Sequence, residues 1–328
     1  MKLASLKSGG RDGTLVVVDR GLAQAVAVPD IAATMQAAIE RWERVAPALN
    51  AVYHRLNAGQ QPGAMAFNVD ALASPFPRSY QFLDGSVYLH HMEKARKARG
   101  AAMPANYKTE PLIYQGLSDG FIGPTEPMPM PSDSDDADYE AEVAIVVDDV
   151  PMGTTAAQAG AHIKLLMLLN DYTLRAITKT ELPKGFGFMQ AKPTSSFSPV
   201  AVTPDELGPY WDGAKLSLPI VSKINGRLMG QPNAGVDMFF SYPQLIAHAA
   251  RTRKLGAGTI IGAGSVSNQD EAVGFGCIAE ARIHEEMSAG RAATPFLRFG
   301  DRVTIEMRDP AGNTLFGAID QVIRAEGR

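Results

Sequence analysis

Residues 136–147 read DADYEAEVAIVV, and this stretch restricts any fold that holds it. The β-branched, apolar run reads as a strand, yet Glu140 and Glu142 stand where it begins. Side chains at i and i+2 of a strand point the same way, so the two carboxylates project together, about 7 Å apart at the backbone. Like charges repel, and burying them unpaired is unfavourable. Two arrangements relieve this. Either the strand start faces water, or a divalent cation sits between the carboxylates.

The 328 residues leave room for one large domain, or a large one and a small one. With 31 Gly and 22 Pro and few long helical patterns, a loop-rich, strand-rich chain is expected. KLASLK, GTLVVVD and LAQAVAVP, separated by SGGRDG and RG, read as a β-meander. Residues 31–57 follow a helical pattern that NAGQQPG ends. This gives a small N-terminal domain over 1–75 and a larger domain over 76–328. A second helix is expected over 87–100, closed by Gly100. GPTEPMPMPSDSDDAD is too proline-rich for a central strand. TTAAQAGAHIKLLMLLNDYTLRAI starts as a helix that Thr154 or Thr155 caps. LPIVSKINGRLMGQ reads as a hairpin turning at Asn225-Gly226, and DRVTIEMRDPAGNTLFGAIDQVI as a closing hairpin, with a short helix in SYPQLIAHAARTRKLGAG between them. The sum is an α+β, β-rich body.

A net charge of −4 invites neither nucleic acid nor an anionic membrane. No apolar stretch reaches membrane length, and MKLASLKSGGRDG lacks the apolar segment of a signal peptide. The single cysteine, Cys277, excludes an internal disulfide and reads as a small core residue. A cytoplasmic enzyme is the expectation.

A hard cation draws oxygen ligands from more than one element. Asp171 follows the apolar run LLMLLN, an unfavourable place for a merely solvated carboxylate, and Asp84 lies seven residues before His91. Taken singly, Asp84 reads equally as a loop or N-cap residue and His91 as a surface histidine beside His90.

In combination the order is more specific. Asp84 and His91, then Glu140-x-Glu142, then NDYTLR with Asp171 and Arg175, then FGFMQAKPTSSFSP with Lys192, resembles the fumarylacetoacetate hydrolase family from about residue 80 onward. The N-terminal module resembles the small variable domain that precedes the family's catalytic body. The resemblance implies a mixed β-roll catalytic domain holding one Mg²⁺, or Ca²⁺ or Mn²⁺, on Asp84, Glu140, Glu142 and Asp171. It implies that Lys192 and Arg175 offset the excess negative charge and stabilise an oxyanion; as residues alone they read as a loop lysine and a helix-end charge. His91 is implied as general base, oriented by Glu280. Tyr114 matches a substrate-contacting tyrosine, though a core aromatic is the alternative. Ser265 stands where the family commonly has a carboxylate-binding threonine. Arg99 is placed for a distal carboxylate, with Arg96 an alternative and a solvated basic face another. Thr178 departs from the family, which has glutamine there.

The implied activity is metal-dependent hydrolysis of a carbon–carbon bond in a 1,3-diketo acid, fumarylacetoacetate or a related acylpyruvate, in aromatic-compound catabolism such as tyrosine degradation. The alternative is a lyase, a decarboxylase or hydratase acting on a 2-oxo acid at the same metal site. A homodimer is implied as well.

Overall fold

The computed structural model describes residues 1–98 and 100–325. Arg99, expected at a distal carboxylate, lies outside them. Strands β1 (Lys2–Leu6), β2 (Thr14–Val18) and β3 (Gln24–Ala27) come first, then helices α1 (Met35–Ile39) and α2 (Trp42–Asn57) and strand β4 (Met65–Ala66). Next are β5 (Phe82–Gly85), α3 (Leu89–Ala98), β6 (Ile113–Gly116), β7 (Met128–Met130), β8 (Ala137–Asp138) and β9 (Ala141–Val147). They are followed by α4 (Ala156–Ala159), β10 (Ile163–Asn170), β11 (Thr173–Leu174), α5 (Arg175–Glu181), β12 (Ser196–Phe197) and β13 (Ala201–Val202). The last are β14 (Ile220–Ile224), β15 (Arg227–Gly230), α6 (Tyr242–Ala249), β16 (Ile260–Gly262), α7 (Ile278–Ala289), β17 (Arg302–Arg308) and β18 (Thr314–Ala325).

The fold is α+β and β-rich. Among the described residues the strands form three sheets. The largest runs β4-β3-β2-β1-β13-β10-β9-β16-β5-β6, with β12 also on β10. The second runs β15-β14-β17-β18-β7, and β11 pairs with β8. The N-terminal meander is hydrogen-bonded into the large sheet, because Lys2 and Leu3 of β1 pair with Val202 and Ala201 of β13.

β9 and β10 are covered on both faces. Val143, Ile145, Leu166 and Leu168 join one core with Tyr242, Leu245 and Ile246 of α6. Ala144, Val146, Leu165 and Met167 join the other, with Leu49, Val52 and Leu56 of α2. Each fully buried Val, Leu or Ile here contributes about 1.5–3 kcal/mol relative to an exposed one.

The helix expected to start near residue 154 forms as α4, with Thr155 as its N-cap. It stops at Ala159, and the apolar run that follows is β10. A strand buried on both faces loses its period-2 alternation and reads as a continuous apolar run. The helix expected over 31–57 is broken at Arg41, where φ is −129°, into α1 and α2. Met35 and Ile39 of the first piece and Val45 and Leu49 of the second meet the same core. At the β14–β15 hairpin Asn225 and Gly226 take φ of 51° and 77°, the pair of positive angles that a type I′ turn requires. The MPM of the proline-rich segment is β7, a strand at a sheet edge.

Candidate active site

Three strand ends of the large sheet meet at one point. β16 lies between β5, parallel to it, and β9, antiparallel, with Gly262 level with Asp84 and Ala144. A Cβ on Gly262 would collide with Asp84 Oδ1 and come within 3.1 Å of Glu142 Oε2. Glycine therefore opens the space into which the two carboxylates turn. On the other side of β9, Leu169 of β10 pairs with Glu142, and Asp171 follows one residue beyond that strand. Asp84, Glu142 and Asp171 each bring an oxygen to within 4.8 Å of the others. All three are buried.

Burial, and then the neighbouring carboxylates, push Asp84 and Glu142 well above the usual carboxylate range. Asp84 Oδ1 and Glu142 Oε1 have no hydrogen-bond partner among the described residues. Buried, unpartnered, all-oxygen donors fit a hard divalent cation, whose charge would relieve this repulsion.

Glu140 is placed differently. Its Oε1 meets Arg175 Nη2 at 2.7 Å and Lys192 Nζ at 3.4 Å, and accepts from Thr173 Oγ1 at 3.1 Å. Its Oε2 accepts from Ser265 Oγ at 2.9 Å. Burial alone would raise its pKa, but Lys192 and Arg175 hold it far below the usual range. Lys192 also pairs with Asp171 Oδ2, so it ties Glu140 to the carboxylate trio. Burial disfavours its charge, yet Asp171 and Glu140 more than compensate and raise its pKa. Asp171 accepts further bonds from Tyr114 OH at 2.5 Å and Ser195 Oγ at 2.9 Å.

Beside this cluster, His91 of α3 faces Glu280 of α7, Nδ1 to Oε2 at 3.2 Å. Burial opposes the imidazolium, but Glu280 outweighs it and raises the histidine's pKa. Burial likewise opposes the carboxylate, and His91 outweighs that, so Glu280 is lowered. Cys277 is buried here, its thiol pushed well up by burial. Two expected positions face elsewhere. Thr178 Oγ1 donates to the Arg175 carbonyl of its own helix at 2.7 Å, and Arg96 Nη1 donates to the Ala102 carbonyl at 2.9 Å.

Sequence reasoning missed Asp138, Thr173, Ser195 and Ser267. Fully buried Asp138 accepts from Arg175 Nε at 2.9 Å and from the Ile278 and Ala279 amides at 2.7 and 2.9 Å. It thus anchors Arg175 and the N-terminus of the helix that carries Glu280. Its signal lay in the quoted stretch, where Asp138, Glu140 and Glu142 alternate with period two. Ser267 donates to Glu280 Oε1, and His90 Nε2 lies 2.7 Å from its Oγ.

The family model for the fumarylacetoacetate (FAA) hydrolase C-terminal region matches residues 81–324, and that for fumarylacetoacetase N-terminal domain 2 matches residues 1–78. The chain belongs to the fumarylacetoacetate hydrolase family. Solved structures agree on this fold. A fumarylacetoacetate hydrolase from psychrophilic Exiguobacterium antarcticum superposes with a TM-score of 0.70 at 18% identity, over 99% of this chain and 100% of that one. A maleylpyruvate hydrolase from Sphingobium sp. SYK-6, in complex with manganese (II) ion and pyruvate, superposes with a TM-score of 0.67 at 18% identity, over 100% of both chains. A 5-carboxymethyl-2-hydroxymuconate delta-isomerase from Mycobacterium smegmatis gives 0.61 at 16%, again over 100% of both chains. The family's fold therefore carries both hydrolases and isomerases. Among the described residues, no helix is long and apolar enough to cross a membrane.

Proposed function

We propose that the chain is a metal-dependent hydrolase that cleaves a carbon–carbon bond in a 1,3-diketo acid, an acylpyruvate or fumarylacetoacetate itself, in aromatic-compound catabolism. The observation that carries this reading is the convergence of Asp84, Glu142 and Asp171 beside the His91–Glu280 pair. The three carboxylates would hold Mg²⁺, Mn²⁺ or Ca²⁺, with Glu140, tied to Asp171 through Lys192, as the fourth. A bound divalent ion supplies Lewis-acid polarisation of the substrate's oxygens.

His91 takes a proton from water through Nε2 while Glu280 holds Nδ1. The water attacks the carbonyl, and Arg175 and Lys192 meet the negative charge that develops on oxygen. As the adduct collapses to a carboxylic acid the carbon–carbon bond breaks, its electron pair leaves as the enolate of the second product, and that enolate carbon takes back the proton held on His91. Tyr114 and Ser265 line the substrate side, and Arg99 is the proposed partner of a distal carboxylate. The relatives' hydrolase activities and the manganese and pyruvate of one solved structure support this assignment. We further propose a cytoplasmic homodimer with a domain boundary near residue 75.

One observation favours the second reading, a lyase acting on a 2-oxo acid. Thr178, where the family has glutamine, turns its hydroxyl onto its own helix and offers no donor to an oxyanion. A screen of diketo acids with Mg²⁺, following loss of the enol absorbance and analysing products, separates the two. Two carboxylic acid products with water consumed support hydrolysis; carbon dioxide or a hydrated product supports the lyase.

A further inference from the structure

The His91–Glu280 contact is close but poorly aligned: among the described residues neither Nδ1 nor Oε2 finds a hydrogen-bond partner of good geometry. Catalytic hydrogen bonds are commonly loose before substrate arrives. Something else must then keep the buried carboxylate turned toward the imidazole. Its other oxygen, Oε1, is held by Ser267 Oγ, and behind Ser267 stands His90 Nε2 at 2.7 Å.

The chemistry of these groups fixes the direction of the chain. An ionised carboxylate only accepts, so Ser267 must donate its single proton to Glu280. Toward His90 the hydroxyl can then only accept, so His90 carries a proton on Nε2. His91, facing Glu280 through Nδ1, carries its proton there, which leaves Nε2 free as a base. Adjacent histidines are thereby set in opposite tautomers.

We propose that Ser267 is a positioning residue for the base, and that His90 supports it: the chain His90–Ser267–Glu280 holds the carboxylate so that His91 stays in its Nδ1–H form. The role rests on reading His91 as the general base, but its signature can be measured without substrate. Burial pushes His90 down from the usual imidazole range, which favours the neutral ring this chain uses.

The test is nitrogen-15 NMR of the histidine rings in the full chain, at the alkaline end of its stable range, where both imidazoles are neutral. The wild type should show Nε2–H for His90 and Nδ1–H for His91. In Ser267→Ala, His91 should shift toward Nε2–H, and kcat on an active diketo acid should fall about tenfold with KM unchanged, the size of one lost hydrogen bond to a charged group. Ser267→Thr, which keeps the hydroxyl, should restore both. Retention of the His91 Nδ1–H form in Ser267→Ala, or an unchanged kcat, overturns the proposal. If Ser267→Ala does not fold, His90→Ala breaks the same chain from its outer end, and an unshifted His91 tautomer there overturns it equally. If the wild type turns over no diketo acid, the hydrolytic reading fails while the tautomers still decide the role of Ser267.

Discussion

Asp84 and Glu142 are buried carboxylates that each keep one oxygen without a hydrogen-bond partner among the described residues, and each costs stability until the proposed cation binds. Asp84→Asn should therefore raise the melting temperature of the chelator-treated protein while abolishing the rise that Mg²⁺ produces in the wild type. Scanning fluorimetry with and without Mg²⁺ reads both effects; a lower melting point in both conditions would contradict them. Glu142→Ala should weaken Mg²⁺ binding by calorimetry about 100-fold or more, and an unchanged affinity would remove it from the ligands. The His91–Glu280 pair gives a pH dependence. His91 is raised in the folded state, so its contribution is complete below the unfolded value of about 6.5 and fades as pH rises through the folded one. Glu280 is lowered, so its contribution is complete above about 4.3 and fades as pH falls through its folded value. The melting-point gap between wild type and Glu280→Gln should thus be widest between about pH 4.3 and 6.5. A gap that keeps widening outside that window would show that the pair is not the cause.

At the scale of elements, α7 is oriented by a residue far from it in sequence. Asp138→Ala would take from Arg175 one of its two buried carboxylate partners, leaving Glu140, and would strip the first turn of α7 of its acceptor, so a loss of about 1–3 kcal/mol is expected in denaturant unfolding. A loss under about 1 kcal/mol would mean water replaces the carboxylate. Gly262→Ala should perturb β16 locally and displace Asp84. Legibility also divides by element. The I′ hairpin at Asn225-Gly226 announced itself because only few residues accept positive φ at both positions. The Glu140–Glu142 pair was conspicuous because charge at the entry of an apolar strand is rare. β10 was not marked as a strand because its two-sided burial erases the alternation that identifies one. Ser195 and Ser267 were illegible: a serine carries no signature of what it will bond, and both meet their partners only through tertiary contact.

For the whole molecule, the β1–β13 pairing makes the N-terminal meander part of the sheet that bears the site. A chain cut to begin at residue 76 would bare the edge of β13 and the apolar face of β10, which α2 covers. It should aggregate, and size-exclusion chromatography should find little monodisperse material. A soluble, folded product would show that the two regions are independent units. The same sheet sets when the metal site can exist during folding. Its carboxylates arrive on β5, on β9 and just beyond β10; β9 and β10 pair directly, but Asp84 of β5 joins them only when β16 inserts between β5 and β9. No local segment holds more than a fraction of the donors, so the ion cannot nucleate a turn as it does in a loop-bound site. Cation uptake becomes instead a reporter of the slowest, most non-local closure of the chain. In refolding, chelator-competed Mg²⁺ binding should appear with the last kinetic phase, and early addition of the ion should leave the first phases unaltered.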